Sequence, residues 1–186
     1  MTFKVARPDV VRAVHQRWLL NLWTQNLNGL SIPQWQTVQI DSLSSMSDHL
    51  SVIDVISEDG QALFAIRFHG AAVGQLYDSA DCRGRYLHTV LPPIAAADAL
   101  APYHRAVDSG CPIYTIHDVI DRNHREVHFE RLLLPFAHDG KHIDRILASF
   151  ELFCPDGAFD RMALMHTQRR SPMPRLSAMI EPRALR

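Results

Sequence analysis

Three charged side chains stand in stretches that are otherwise apolar, where a charge must be paired or face water. Arg67 lies within Phe64-Ala-Ile-Arg-Phe-His69, and Glu130 and Arg131 lie within Phe129-Glu-Arg-Leu-Leu-Leu-Pro-Phe136. A guanidinium can hold a carboxylate or another anion through two parallel N–H bonds, which makes Arg67 a candidate anion ligand. The competing reading is structural: ion pairs between strands, Arg67 with Glu130 or Arg131 with Glu151. Glu130 and Arg131 are neighbours in a strand and must point to opposite faces. At least one therefore meets the covered side, and is expected to pair with Arg67, Glu151 or a bound anion.

Tyr77, Tyr86, Tyr103 and Tyr114 offer apolar rings with polar tips, the chemistry a small-molecule pocket needs. Leu100, Tyr103 and Val107 share one helical face, so Tyr103 points inward with His104 beside it. The candidate ligand set is Arg67, Phe68, Tyr86, Tyr103, His104 and Tyr114. Eleven histidines raise the question of metal. His138 and His142 flank Asp139-Gly140, and His124 is near His128, but zinc needs three or four converging ligands and no metal site is expected. Cys82, Cys111 and Cys154 are odd in number and widely spaced, which suggests small buried side chains rather than disulfides. There is no Gly-x-Ser-x-Gly elbow, P-loop or His-Glu-x-x-His, so the chain is not expected to be an enzyme.

The 186 residues are 47% hydrophobic, enough for one domain with a proper core. A net charge of −1 lacks the concentrated basic surface that nucleic acid requires. No apolar run approaches a membrane span, and residues 1–7 lack the apolar region of a signal peptide, so a cytoplasmic protein is expected.

The elements that would position these residues follow from spacing. Pro8 and Asp9 open a helix that Asn28-Gly29 stops. Its apolar stripe of Val11, Val14, Trp18 and Leu22, widened by Leu19, Leu20, Trp23 and Leu27, exceeds one buried face and predicts homodimerisation. Residues 30–48 read as an irregular connector or short helix. Strands are predicted at 49–56 and 62–69, the second with Phe64, Ile66 and Phe68 on one face. Helices follow at 71–77 and 94–109, with a kink or restart at Pro102. Strands at 112–121, 125–137 and 142–153 are joined by Arg122-Asn123-His124 and by a turn at Asp139-Gly140. The division is residues 1–48, helix and connector; 49–154, core; and 155–186, a basic tail with Pro172, Pro174 and Pro182, read as mobile or loosely docked.

This order of elements is that of a PAS domain, and the chain resembles one group in detail: stand-alone bacterial PAS proteins, common in alphaproteobacteria, without an attached kinase or output domain. The matching pieces are Leu22-Trp23, Ile32-Pro33, Asp41, Phe64-Ala-Ile-Arg-Phe-His-Gly70, Gly84-Arg-Tyr-Leu87, Gly110-Cys-Pro112 and Phe129 to Phe136, leading to Ile146-Leu147. The resemblance implies an α+β fold, a five-stranded antiparallel sheet in the order 2-1-5-4-3, helices on one face and a central pocket. It implies a sensory domain that binds a small molecule or protein partner and signals through altered association. Heme-binding PAS sensors place their iron ligand near His104, which gives a gas- or redox-sensor alternative with His88 as a second candidate. No cysteine stands in the Asn-Cys-Arg-Phe context of flavin light sensors. A second alternative is a cone-shaped enzyme of the steroid-isomerase kind, with Asp54 or Glu130 as base.

Overall fold

The structure, a computed structural model, describes residues 1–78 and 81–181, without the side chains of residues 40 and 41. Of the residues singled out above, the Asp41 side chain, Pro182, Arg183 and Arg186 lie outside the described residues. The strands are β1 (Lys4–Ala6), β2 (Leu50–Glu58), β3 (Gln61–His69), β4 (Ile113–Ile120), β5 (Glu126–Ala137), β6 (Ile143–Phe153) and β7 (Met173–Ile180). They form one seven-stranded sheet in the order β1-β7-β4-β5-β6-β2-β3, parallel only between β1 and β7. The helices are α1 (Val14–Gln25), α2 (Ala71–Leu76), α3 (Leu87–Val90) and α4 (Ala96–Ser109). Helices α2 to α4 cover one face, here the inner face. On the opposite, outer face lie α1 and the 3-10 segments Trp35–Thr37 and Ile40–His49. The chain is thus α+β, with seven strands in place of the five expected.

The tail supplies the largest difference. Residues 173–180 form neither loop nor linker but a full strand, β7, beside β4. Pro174 is accommodated because it falls where the β4 register shifts, opposite His117, and a missing N–H costs least at such an irregularity. Upstream, the N–H groups of Ala163 and Met165 donate to the carbonyls of Gln75 and Leu76 at 2.8 and 3.0 Å, and Ala163, Leu164 and Met165 are buried. The segment closes the inner layer.

Helix α1 is rotated from the predicted stripe. Pro8–Val10 makes a single 3-10 turn, and extended backbone at Val11 and Ala13 separates it from α1. Val11 is consequently out of phase and fully buried, while the packed face is Gln16, Leu19, Leu20 and Trp23. Trp23 Nε1 donates to the Pro135 carbonyl at 2.6 Å, and Gln16 Nε2 to that of Ser149 at 3.1 Å. Val14 and Trp18 face outward, 70% and 39% exposed. Helix α4 does not restart at Pro102, one of the two outcomes expected there. The helix runs through it to Gly110, because the lost bond is local and buried Tyr103 and Ala106 hold the next turn to the sheet.

A register shift changes the predicted faces of β3. Val52 pairs with Phe68 but Ile53 with Ile66, so Arg67 is an extra residue. A bulge of this kind reverses the alternation beyond it. Phe64 and Ile66 remain in the inner core, whereas Phe68 lines an outer cleft and is 38% exposed.

Gly70 ends β3 and starts α2, its N–H donating to the Leu50 carbonyl at 2.9 Å. A Cβ there would run into the backbone carbonyls of Ser47 and Asp48. Gly70→Ala should therefore cost about 1–3 kcal/mol or more in urea unfolding, since rigid backbone cannot yield as a flexible side chain can. A loss of less than about 0.5 kcal/mol would show that the 3-10 segment shifts freely.

Candidate functional site

The inner face of the central strands holds a polar group of residues among apolar walls. Thr115 and His117 come from β4, Arg131 from β5, His69 from β3 and Ser51 from β2. Tyr77, Ala99 and Tyr103 come from the helical layer. Arg131 is 3% exposed; its Nη1 donates to the Ala99 carbonyl at 3.0 Å and its guanidinium lies 5.2 Å from the Tyr103 ring centre. Its Nε is buried without a partner, as are Thr115 Oγ1 and His69 Nε2. Ser51 Oγ lies 3.2 Å from His69 Nδ1. Arg131 lines two cavities, one of about 20 Å³ with Tyr77, His117 and Phe129, the other of about 10 Å³ with Ser51, His69, Tyr103 and Phe150. Each is the size of about one water molecule.

Burial first, and then the charge of Arg131, push the His117 imidazole down to about 4. Burial also lowers His69 and raises the Tyr77 and Tyr103 hydroxyls. Both imidazoles are thus neutral at pH 7. Asp98 lines the larger cavity but is exposed and accepts a hydrogen bond from Ser171 Oγ. Among the described residues no carboxylate lies within 4.0 Å of Arg131.

The outer face buries Glu130, 6% exposed, which accepts a 2.6 Å hydrogen bond from the Tyr114 hydroxyl. That hydroxyl also accepts from the Arg12 N–H at 3.3 Å. Burial, and then the bond to Glu130, raise the Tyr114 hydroxyl well above its ordinary value. Both predicted ion pairs are corrected. Arg67 and Glu130 are separated by β2 and β6, three strand spacings of roughly 4.8 Å. Arg67 Nε instead donates to Asp54 Oδ1 at 2.8 Å, an oxygen shared with Arg145 Nε at 3.3 Å. Glu151 is the cross-strand partner of Glu130, not Arg131, so it projects from the other face and approaches His15 at 3.6 Å.

The predicted ligand residues do not converge. Arg67 and Phe68 belong to an outer cleft of about 530 Å³, walled by Trp35, Leu43, Val52 and Leu147. Arg145 lies over the Trp35 ring at 5.1 Å. Tyr103 is on the inner face and Tyr114 on the outer one. Tyr86 is half-buried and stacks on exposed His88 at 5.5 Å. His104 is exposed on α4 with its ring against Phe64 at 4.9 Å. It lines neither interior cavity but borders two open clefts of about 770 and 740 Å³ on either side of α4. Of the two bases considered for a cone-shaped enzyme, Asp54 is engaged by two arginines and Glu130 lines neither interior cavity.

Sequence reasoning passed over Thr115, His117 and His69. The signal for the first two was present, since they alternate with Tyr114 and Ile116 in β4; His69 was hidden by the bulge. The histidine pairs at the turns are also dispersed. His138 bonds Gln36, and His142 Nδ1 lies 2.6 Å from Asp139. His128 gathers with Asp118 and Glu126 in a geometry open to a cation, but Arg175 already bonds both carboxylates at 2.9 and 3.0 Å.

The family model described as PAS fold matches residues 52–151, more than half of the chain, and the chain belongs to that family. The match runs through β2 to β6 and α2 to α4, the part that builds the inner layer. Membership points to a sensory or signalling role. No curated protein matches the chain. No helix among the described residues is long and apolar enough to cross a membrane.

Two outcomes follow. Tyr114→Phe leaves Glu130 buried without its donor and should cost about 2–4 kcal/mol, against about 1 kcal/mol or less for Arg67→Ala at its exposed pair. Equal losses in urea unfolding would contradict that ranking. For His117, the folded value of about 4 lies below the ordinary 6.5, so between these pH values the unfolded chain takes up a proton that the folded chain refuses. Stability is fully present above pH 6.5 and falls toward pH 4 by on the order of 3 kcal/mol. His117→Gln should flatten that part of the pH profile, with His69 leaving a residual slope of the same sign.

Proposed function

We propose that this PAS domain is a cytoplasmic regulatory module of the stand-alone bacterial kind, without enzymatic activity, whose output is association with other protein chains. One contrast carries the reading. The interior has room for about one water at each of two points, whereas the outer cleft of about 530 Å³ presents apolar walls and a partly exposed Phe68. Pocket binding of a drug-sized molecule would need several hundred Å³. An apolar floor rimmed by charge suits a peptide anchor. The cleft is lined by Arg67 and Arg145, which share the carboxylate of Asp54, so the fitting partner is a segment with one large apolar side chain beside an acidic residue.

A second copy of the chain is the proposed occupant of the outward surface of α1. Val14 and Trp18 supply its apolar contact, with Leu22 at the margin and Val11 excluded by its burial. Trp18→Glu should convert a dimer to a monomer in sedimentation without loss of fold, since the side chain is already in contact with water. A wild-type chain that stays monomeric at high micromolar concentration overturns the dimer. For the cleft, peptides selected from a random display library should be enriched in an apolar-acidic pair and lose about tenfold or more in affinity with Phe68→Glu or Arg145→Gln. Peptides that bind both variants as tightly as wild type would place the docking surface elsewhere.

A further inference from the structure

We propose that Asp118, Glu126 and His128 form a site for one divalent transition-metal ion of the zinc kind on the outer face of the sheet, which the side chain of Arg175 holds closed until the ion displaces it. The site is separate from both association surfaces: the cleft lies on β2, β3 and β6, and the apolar side of α1 is carried by Val14 and Trp18. Asp118 and His128 are a directly opposed pair of β4 and β5. Glu126 stands two residues before His128 and so projects from the same face. One ligand atom from each of the three lies within 4.8 Å of the other two. His128 Nε2 is 3.4 Å from Glu126 Oε1 and 3.7 Å from Asp118 Oδ1, both long for hydrogen bonds. These separations are close to those of neighbouring ligands on tetrahedral zinc, since bonds of about 2.0–2.2 Å place such atoms about 3.3–3.6 Å apart.

The seat of that ion is already marked by a cation. Arg175 Nε donates to Asp118 Oδ1 at 2.9 Å and Oδ2 at 3.1 Å, and Nη2 to Glu126 Oε1 at 3.0 Å, so the guanidinium engages the same two oxygens that His128 approaches. Arg175 is the extra residue of a register shift, since Ile116 pairs with Leu176 and His117 with Pro174. Its side chain can therefore leave while the β4–β7 ladder stays paired. That side chain is 42% exposed, and exposed ion pairs are weak, which makes the guanidinium a displaceable occupant. The His128 side chain, by contrast, is only 10% exposed, with its ring beside Phe153 at 5.9 Å. A buried imidazole nitrogen with two long contacts and no short one is poorly satisfied, and a metal ion would satisfy it. Chemistry sets the class of ion. An imidazole with two carboxylates suits zinc or a similar borderline ion, whereas calcium and magnesium prefer larger sets of oxygens. Two carboxylates also balance the charge of a divalent ion, where Arg175 balances only one of them. Three protein ligands leave a fourth position beside the half-exposed Glu126.

The test titrates the metal-stripped full chain with zinc alone by calorimetry, with the visible absorption of added cobalt as a report of tetrahedral geometry. Wild type should bind one ion at this site, and magnesium or calcium in excess should fail to compete. Glu126→Gln and Asp118→Asn should weaken binding about tenfold or more, and His128→Asn should also remove the tetrahedral cobalt spectrum. Arg175→Gln should tighten binding about threefold to tenfold, because the competing cation is gone. His142→Asn, at the exposed pair with Asp139, should bind as wild type. If His128→Asn does not fold, the surface variants Glu126→Gln and Arg175→Gln decide alone. Absence of binding by both wild type and Arg175→Gln at high micromolar zinc overturns the site. So does an adventitious ion only, kept in Glu126→Gln and lost in His142→Asn. Equal affinity in wild type and Arg175→Gln overturns the displacement of Arg175.

Discussion

Strand β5 is buried on both faces from Val127 to Ala137, so neither of its adjacent charges has a route to water. Glu130 turns toward α1 and Arg131 toward α4, and each must find its compensation inside the layer it enters. Glu130 finds a hydroxyl. Arg131 finds a carbonyl and an aromatic face, which together fall short of a carboxylate in low dielectric. The layers above and below β5 are thus constrained by what these two groups require. Tyr114 must stand within 2.6 Å on one side, and on the other the neighbouring imidazoles must remain neutral.

The bulge at Arg67 divides the roles of the two faces. By adding one residue to β3 it sends Phe68 outward to the cleft and His69 inward to the polar group around Arg131. A strand of regular alternation would have buried Phe68 in the inner core and exposed His69. The same irregularity therefore creates an apolar feature on the surface and a polar one in the interior, each in a space that an arginine also lines.

Helix α1 ties the outer layer to the middle of the sheet through Gln16 and Trp23, which hydrogen-bond backbone carbonyls of β6 and β5. Its outward side remains apolar at Val14 and Trp18. Association at that side and any change at the sheet's centre are joined by few intervening groups: α1, Glu130 with Tyr114, and the β5 backbone that carries Arg131. This is a short physical path for a regulatory domain, since a shift of β5 needs compensation on both faces at once.

The order of β2 to β6 with the helices between them, the positions of most turns and the burial of at least one of Glu130 and Arg131 were legible in the sequence, because they depend on local spacing and on runs of apolar residues. Phe129 to Phe136 announces a covered strand wherever it is placed, and the family match falls on this same region. Partners were not legible. Whether Arg67 meets Glu130 or Asp54 depends on strand order, and whether Arg131 can reach Glu151 depends on register, which the side-chain pattern of a two-sided buried strand leaves open. The bulge in β3, the phase of α1 after its break at Val11 and the return of residues 173–180 as a strand were likewise decided by tertiary packing. By itself the sequence determined that at least one of two adjacent charges would be buried in one strand; only the tertiary structure decided that both would be, one answered by tyrosine and the other lining a cavity, because burial and compensation depend on distances between segments far apart in the chain.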